Sequence, residues 1–299
     1  MKILEFFGRQ RVSEIDHVNP TKVHLAIWAV ITIVLLYLDV LHWMVGRWSR
    51  DPGQQHGFLI PFVAIWIGFA GFSKTTLPQE EDGPLVYMAG VAIVLIALVL
   101  RLLGIAFSIT TVELATIPPV LFGLAWICFS RSVALRASPG ILFLFFMIPL
   151  PGVIAAVVRS GLQSISTAAS VFTLQLLGYP AVAEGNVIHL AEDSIGVAEA
   201  CSGIRMFTAF VAIAVAYCLI ARPRSIFRPF ILLASVPISI LANVMRVTLM
   251  GVASEQLDRG LTWHLAHDLS GWAMLALGLA LFALMSWIFG QLFEFEPSD

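Results

Sequence analysis

Charge is scarce in this sequence. Asp, Glu, Lys and Arg make up 12% of its 299 residues and hydrophobic residues 59%, where soluble domains carry roughly 25% charged residues. That balance excludes a soluble core with one anchor and implies a polytopic membrane protein. A surplus of basic residues is lacking too, and a formal net charge of -2 gives no electrostatic footing for nucleic acid. The three cysteines, Cys128, Cys201 and Cys218, are far apart and form no CxxC pair, so cysteine usage fixes no redox compartment. No HExxH is present. His264 and His267 are spaced for a metal pair but have no nearby cysteine, so no metal and no cofactor is expected. The N-terminal MKILEFFGRQRVSEIDHVNP mixes acids and bases and lacks the apolar core and small-residue cleavage site of a signal peptide. The first long apolar run is therefore expected to remain as a span.

Apolar runs of about 17–25 residues qualify as transmembrane helices. They fall near residues 23–45, 58–73, 84–104, 112–130, 140–157, 204–221, 228–250 and 269–290, which predicts an all-α polytopic protein with about eight spans. The second is short, and the fourth contains Glu113 and Pro118-Pro119. The organisation expected is a cytoplasmic segment 1–22, one integral-membrane domain 23–290 and a cytoplasmic tail 291–299. With the N-terminus inside, Lys and Arg divide ten inside to seven outside, and the tightest inner cluster is Arg222, Arg224 and Arg228. That bias sets the orientation.

Residues 160–200 break the pattern. The stretch 160–177 is only half apolar and rich in Ser, Thr and Gln. It reads as an amphipathic helix, either at the outer interface or packed on the bundle, ended by Gly178-Tyr179-Pro180. Two short runs, 186–190 and 195–198, flank Glu192-Asp193-Ser194 and suggest a small β-hairpin. It leads into Glu199-Ala200-Cys201-Ser202-Gly203-Ile204-Arg205.

A thiol at a helix N-terminus near a fixed positive charge has a lowered pKa, although a cysteine and small residues can equally form a plain turn into a helix. Ionisable residues at span ends default to functional hypotheses. The expected topology puts Cys201 before the sixth span, Arg246 near the outer end of the seventh, and His267 and Asp268 before the eighth, all on the outer side. Each has a plainer alternative. Arg246 can be a snorkelling arginine, with Asn243 one turn earlier on its face. Asp268 can be an N-cap, and Arg205 can neutralise Glu199. His56-Gly57 lies on the outer side and could border the same site. Glu113, Arg246 and His267 could instead form the polar pathway of a transporter or channel, but that class expects polar groups at mid-membrane depth and matched halves. An intramembrane metalloprotease is the third reading.

Cys201-Ser202-Gly203-Ile204-Arg205, Asn243-Val244-Met245-Arg246 and His267-Asp268 with Gly271 resemble the three motifs of the exosortase/archaeosortase family, the bacterial branch more than the archaeal. His56-Gly57-Phe58-Leu59-Ile60-Pro61 and Phe146-Met147-Ile148-Pro149-Leu150-Pro151 support the resemblance, which runs from about residue 50 to 290. The resemblance implies a membrane-embedded cysteine protease/transpeptidase with sortase-like chemistry. It implies Cys201 as nucleophile, with Arg246 and His267 completing the triad. Arg205, Asn243, Asp268, Ser202, Gly203, Glu199 and His56 are expected in support. The implied partners are exported proteins ending in a Pro-Glu-Pro-type (PEP-CTERM-like) motif, a transmembrane helix and a basic tail. Membrane lipid and a surface glycan or lipid acceptor complete the list. The implied location is the cytoplasmic (inner) membrane, with the site on the outer, periplasmic side. Some bacterial members carry a further C-terminal domain, whereas this sequence stops just after its last span.

Overall fold

A computed structural model describes residues 20–72, 83–197 and 203–256, and, towards the C-terminus, 269, 273–274, 276–285 and 287–288. The chain divides into two compact units. One comprises Met1–Arg47 with Ile60–Ile148, the other Trp48–Leu59 with Pro149–Asp299.

In the first unit the described elements are helices joined by short turns. Helices α1 (Pro20–Leu36) and α2 (Leu38–Arg50) meet at a bend of 69°, so the span expected at 23–45 is not one straight helix. The cause is in the sequence. The unbroken apolar run ends at Leu38, and α2 then alternates faces. Val40, Met44 and Trp48, four residues apart, are buried, while Asp39, His42, Arg47 and Arg50 are exposed. That suits a helix lying along an interface better than one crossing it. Helix α3 (Ile60–Phe72) is followed by α4 (Pro84–Ala106), α5 (Thr110–Ala115), α6 (Ile117–Cys128) and α7 (Arg131–Phe143). Pro118 and Pro119 sit in the first turn of α6, where no N–H is missed, so the prolines mark the α5–α6 break. Glycines bring backbones together. A Cβ on Gly140 of α7 would overlap the Ala64 carbonyl of α3, and one on Gly123 of α6 would lie 2.6 Å from Val94 of α4. Close approach at small residues is how helices pack where lipid supplies no hydrophobic drive.

The first unit also buries a polar cluster. Arg101, 6% exposed in an otherwise apolar helix, pairs with Asp39 at 3.0 Å. Its guanidinium lies 4.4 Å from the Tyr37 ring centroid, and the Tyr37 hydroxyl bonds Thr116 Oγ1 at 2.7 Å. Thr116 donates to the Glu113 carbonyl at 2.6 Å.

The second unit holds a 3-10 turn (Pro52–Phe58), α8 (Gly152–Leu176), strands β1 (Val182–Glu184), β2 (Val187–His189) and β3 (Ser194–Gly196), α9 (Gly203–Ile220) and α10 (Arg228–Gln256). The apolar stretch Ala276–Met285 is α11. The strands form one antiparallel meander in the order β1-β2-β3, with Ile188 opposite Ala183 on one side and Ile195 on the other. Gly185, at φ 60°, makes the first turn in a conformation that favours glycine. Two core clusters hold the unit. Phe210, Ala214 and Cys218 of α9 meet Phe227, Ile231 and Ala242, with Met274 and Phe282. Leu174 of α8, Ala181, Ile188, Val197 and Val247 of α10 form the other.

Helix α8 has its polar side inward. Gln163, Ser166, Thr167 and Ser170 are buried, while Val153, Val157, Phe172 and Leu176 are 63–80% exposed. Of the two placements expected for 160–177, the structure has the helix packed on α10, and the exposed apolar side suits lipid rather than water. Helix α7 ends at Phe143 and α8 begins only at Gly152, so the expected span 140–157 is likewise not a single helix. The residue before a proline avoids the α region, and Pro149 and Pro151 therefore stop the run.

Among the described residues, three helical segments are long and apolar enough to cross a membrane: Pro84–Ala106, Thr110–Cys128 and Arg228–Gln256. Counting each bent pair as one span brings the number to five. Eight were expected. The apolar stretches Ile60–Gly71 of α3, Phe207–Ile220 of α9 and Ala276–Met285 of α11 are shorter; at 1.5 Å per residue the longest, Phe207–Ile220, reaches about 21 Å of a hydrocarbon core roughly 30 Å thick.

Candidate functional site

Of the expected site residues, His56, Gly203, Arg205, Asn243 and Arg246 all fall in the second unit. Helices α9 and α10 form an antiparallel hairpin, since only the short connection 221–227 joins them and Cys218 and Phe210 share a core with Phe227, Ile231 and Ala242. At 1.5 Å per residue Gly203 lies about 26 Å from the turn end of α9, and Arg246 about 27 Å from the turn end of α10. The first turn of α9, which carries Gly203 and Arg205, is therefore level with Arg246.

Arg246 is 3% exposed. A guanidinium carries a permanent charge, so Arg246 is a fixed positive charge inside the unit. Arg246 is engaged in interactions of its own. One turn earlier, Asn243 is 1% exposed and donates through Nδ2 to Ser166 Oγ of α8 at 2.9 Å. Ser170 donates to the Val244 carbonyl at 3.4 Å. The inward polar stripe of α8 thus faces the Asn243–Arg246 turn. Two acceptors in this region, Asn243 Oδ1 and Thr248 Oγ1, are buried and have no hydrogen-bond partner among the described residues. Each orphaned group costs about 1–3 kcal/mol, which a bound polar group or water would recover.

The sheet is moored beside this turn. Asn186 Nδ2 donates to Gln163 Oε1 at 3.3 Å, Gln175 Nε2 to the Ala181 carbonyl at 2.8 Å and Gln256 Nε2 to the Tyr179 hydroxyl at 2.8 Å. The Glu192 N–H donates to Glu255 Oε1 at 3.2 Å. The chain leaves β3 through Val197, fully buried in the cluster that contains Val247, the residue after Arg246.

Of the expected site residues, Arg246 and Asn243 sit together. Gly203 opens α9 and Arg205 falls in its first turn. His56 is part-buried in the 3-10 turn, which packs on α9. Its neighbour Gly57 has no room for a Cβ because the Trp48 indole lies over it, and Trp48 packs edge-on against Phe58 with centroids 5.0 Å apart. Glu199, Cys201, Ser202, His264, His267, Asp268 and Gly271 lie outside the described residues. Glu113, named in the transporter reading, is buried in the first unit. Sequence reasoning missed Ser166 and Ser170 as partners of the Asn243–Arg246 turn. Their signal was the Gln/Ser/Thr periodicity at positions 163, 166, 167 and 170, repeating at three and four residues.

The fold and this buried polar turn define a multi-pass membrane protein with an ionisable site built into helices. The family model described as transmembrane exosortase (EpsH type) matches residues 48–284, and the chain belongs to that family. No curated protein and no solved structure matches. At the family level membership implies a membrane-embedded sorting protease/transpeptidase and suggests an enzyme of cysteine-peptidase type; the family in general acts on exported proteins with C-terminal sorting signals.

Proposed function

We propose that this chain cleaves the C-terminal sorting tails of exported proteins through a thioester on Cys201, with Arg246 and His267 as its partners. The observation that carries the reading is the fixed, buried charge of Arg246 on α10, level with the start of α9, two residues after Cys201. The Cys201 thiolate attacks the scissile carbonyl, and the tetrahedral intermediate collapses to a thioester as the C–N bond breaks. His267 gives its proton to the leaving amine and later takes one from the incoming nucleophile, water or a surface glycan or lipid acceptor. Arg246 stabilises the thiolate and the oxyanion, and Asn243 holds the turn that carries Arg246. Glu199, Ser202, Gly203, Arg205, His56 and Asp268 border the site.

The substrates in this reading carry a Pro-Glu-Pro-type motif, an apolar helix and a basic end. The apolar helices α3, α9 and α11 complete the spans by local thinning of the bilayer and by residues outside the described set. The surplus of Lys and Arg in the inner connections then puts Cys201 on the outer side of a bacterial cytoplasmic membrane. The test is a reporter ending in such a tail, co-expressed with the wild-type chain or with Cys201→Ala. Tail removal is expected only with the wild type, both proteins being inserted equally. Equal removal by Cys201→Ala would end the proposal.

A further inference from the structure

Strand β3 has an edge that β2 does not use. The Leu190 N–H donates to the Asp193 carbonyl at 2.8 Å and the Val197 N–H to the Asn186 carbonyl at 2.9 Å. In an antiparallel ladder, pairs that exchange hydrogen bonds alternate with pairs that do not. The bonded pair between those two is Ile188 with Ile195, which the register sets opposite each other. Ser194 and Gly196 therefore turn their backbone N–H and C=O groups away from β2. Asp193 Oδ1 accepts the Ser194 N–H at 2.7 Å. Among the described residues a row of three groups is left: the Ser194 carbonyl, the Gly196 N–H and the Gly196 carbonyl. Among the described residues no strand lies beyond β3.

This edge is rigid and well placed. Ile195 is 4% exposed and Val197 fully buried, and Val197 packs in the cluster that contains Val247, next to Arg246. Gly196 has no side chain to keep an approaching backbone away, and neither Lys nor Pro, the residues that usually blunt a strand edge, is present in β3. From Gly196 the chain reaches Cys201 in five residues, at most about 18 Å fully extended. The opposite edge, on β1, turns only Ala183 outward and leads away from Cys201.

We propose that the outer edge of β3 receives the substrate segment just before the scissile bond as an added parallel strand. The proposal rests on Cys201 being the nucleophile. The direction follows from the chain. β3 runs towards Cys201, and the segment whose carbonyl becomes the thioester must end there, while the apolar helix beyond the scissile bond stays in lipid. In a parallel pair, one substrate residue uses its N–H on the Ser194 carbonyl and its carbonyl on the Gly196 N–H. The residue two further on donates its N–H to the Gly196 carbonyl. The residue between them makes no backbone bond to β3.

The test uses the full chain in vesicles and a synthetic tail peptide of a Pro-Glu-Pro segment, an apolar helix and a lysine-rich end. Backbone amides before the cleavage point, those of the two prolines excepted because they carry no N–H, are replaced one at a time by esters, which deletes single N–H donors. The expected result is a fall of about threefold to tenfold in kcat/KM at two positions two residues apart, with no loss at the position between. A flat profile, or losses without that spacing, overturns the proposal. Gly196→Pro removes the N–H at a place where an edge strand tolerates proline and is expected to lose the same factor. Ala183→Pro on the opposite edge keeps wild-type turnover. If Gly196→Pro does not fold, the ester series on the wild type decides. Cleavage that persists in Cys201→Ala would sink the parent reading whatever the ester profile. Cleavage that needs Cys201 but ignores the ester series would sink the docking alone.

Discussion

The Asn243–Ser166 bond offers the sharpest energetic test of how α8 and α10 hold the site. Both side chains are 1% exposed and the Nδ2–Oγ distance is 2.9 Å, so neither partner can turn to water when the other is removed. Hydrogen bonds between membrane helices average about 0.6 kcal/mol and reach about 1.7 kcal/mol. Complete burial and a short distance put this one in the upper half of that range, about 1–1.5 kcal/mol. Asn243→Ala, Ser166→Ala and the double variant form a cycle, read by reversible SDS unfolding in mixed micelles. Each single variant leaves a buried polar group alone, so the double should lose less than the sum of the two by that coupling. Ser166→Ala should also lower tail processing, because Asn243 is one turn from Arg246. A coupling of zero, with each single change costing nothing, would show that the polar side of α8 does not organise this turn.

Other consequences can be measured separately. Arg246→Gln is expected to lower turnover about 10²–10³-fold with the protein still inserted, and Arg246→Lys should restore only part of it, because an ammonium cannot reproduce the guanidinium fork. Gly140→Leu should destabilise the α3–α7 crossing by about 1–3 kcal/mol in the same SDS titration. Gly161→Ala, where a Cβ meets nothing within 4 Å, should stabilise α8 by about 0.5–1 kcal/mol. Arg101→Leu forfeits the Tyr37 stacking and the Asp39 pair. Asp39 is 65% exposed, so the pair is screened and the total loss should stay near 1–2 kcal/mol.

Much of the second unit was legible from periodicity alone. The runs 204–221 and 228–250 became α9 and α10 because each is long and predominantly apolar and the Arg222–Arg228 turn separates them. The bend at Tyr37 and the break at Pro149–Pro151 were not, because hydropathy sums over a window and is blind to direction. The signals that mark them are Asp39 and His42 in one case and a pair of prolines in the other. Arg246 and Asn243 were singled out because an ionisable group in an apolar helix is costly enough to need a reason. Ser166 was passed over because a serine-rich helix reads as an interface when its partner is unknown. Arg101 was read only as a charge for orientation, since its partners Tyr37 and Asp39 lie more than sixty residues away in sequence.

The central claim, covalent chemistry at Cys201, is tested most directly by trapping the intermediate. The wild-type chain is incubated with a tail-bearing reporter, quenched in acid, digested, and mapped by mass spectrometry. The account predicts a hydroxylamine-labile acyl adduct on Cys201 that ends at the new C-terminus of the reporter and is absent from Cys201→Ala. Tail cleavage at an undiminished rate in Cys201→Ala, with no adduct on any cysteine, would contradict it.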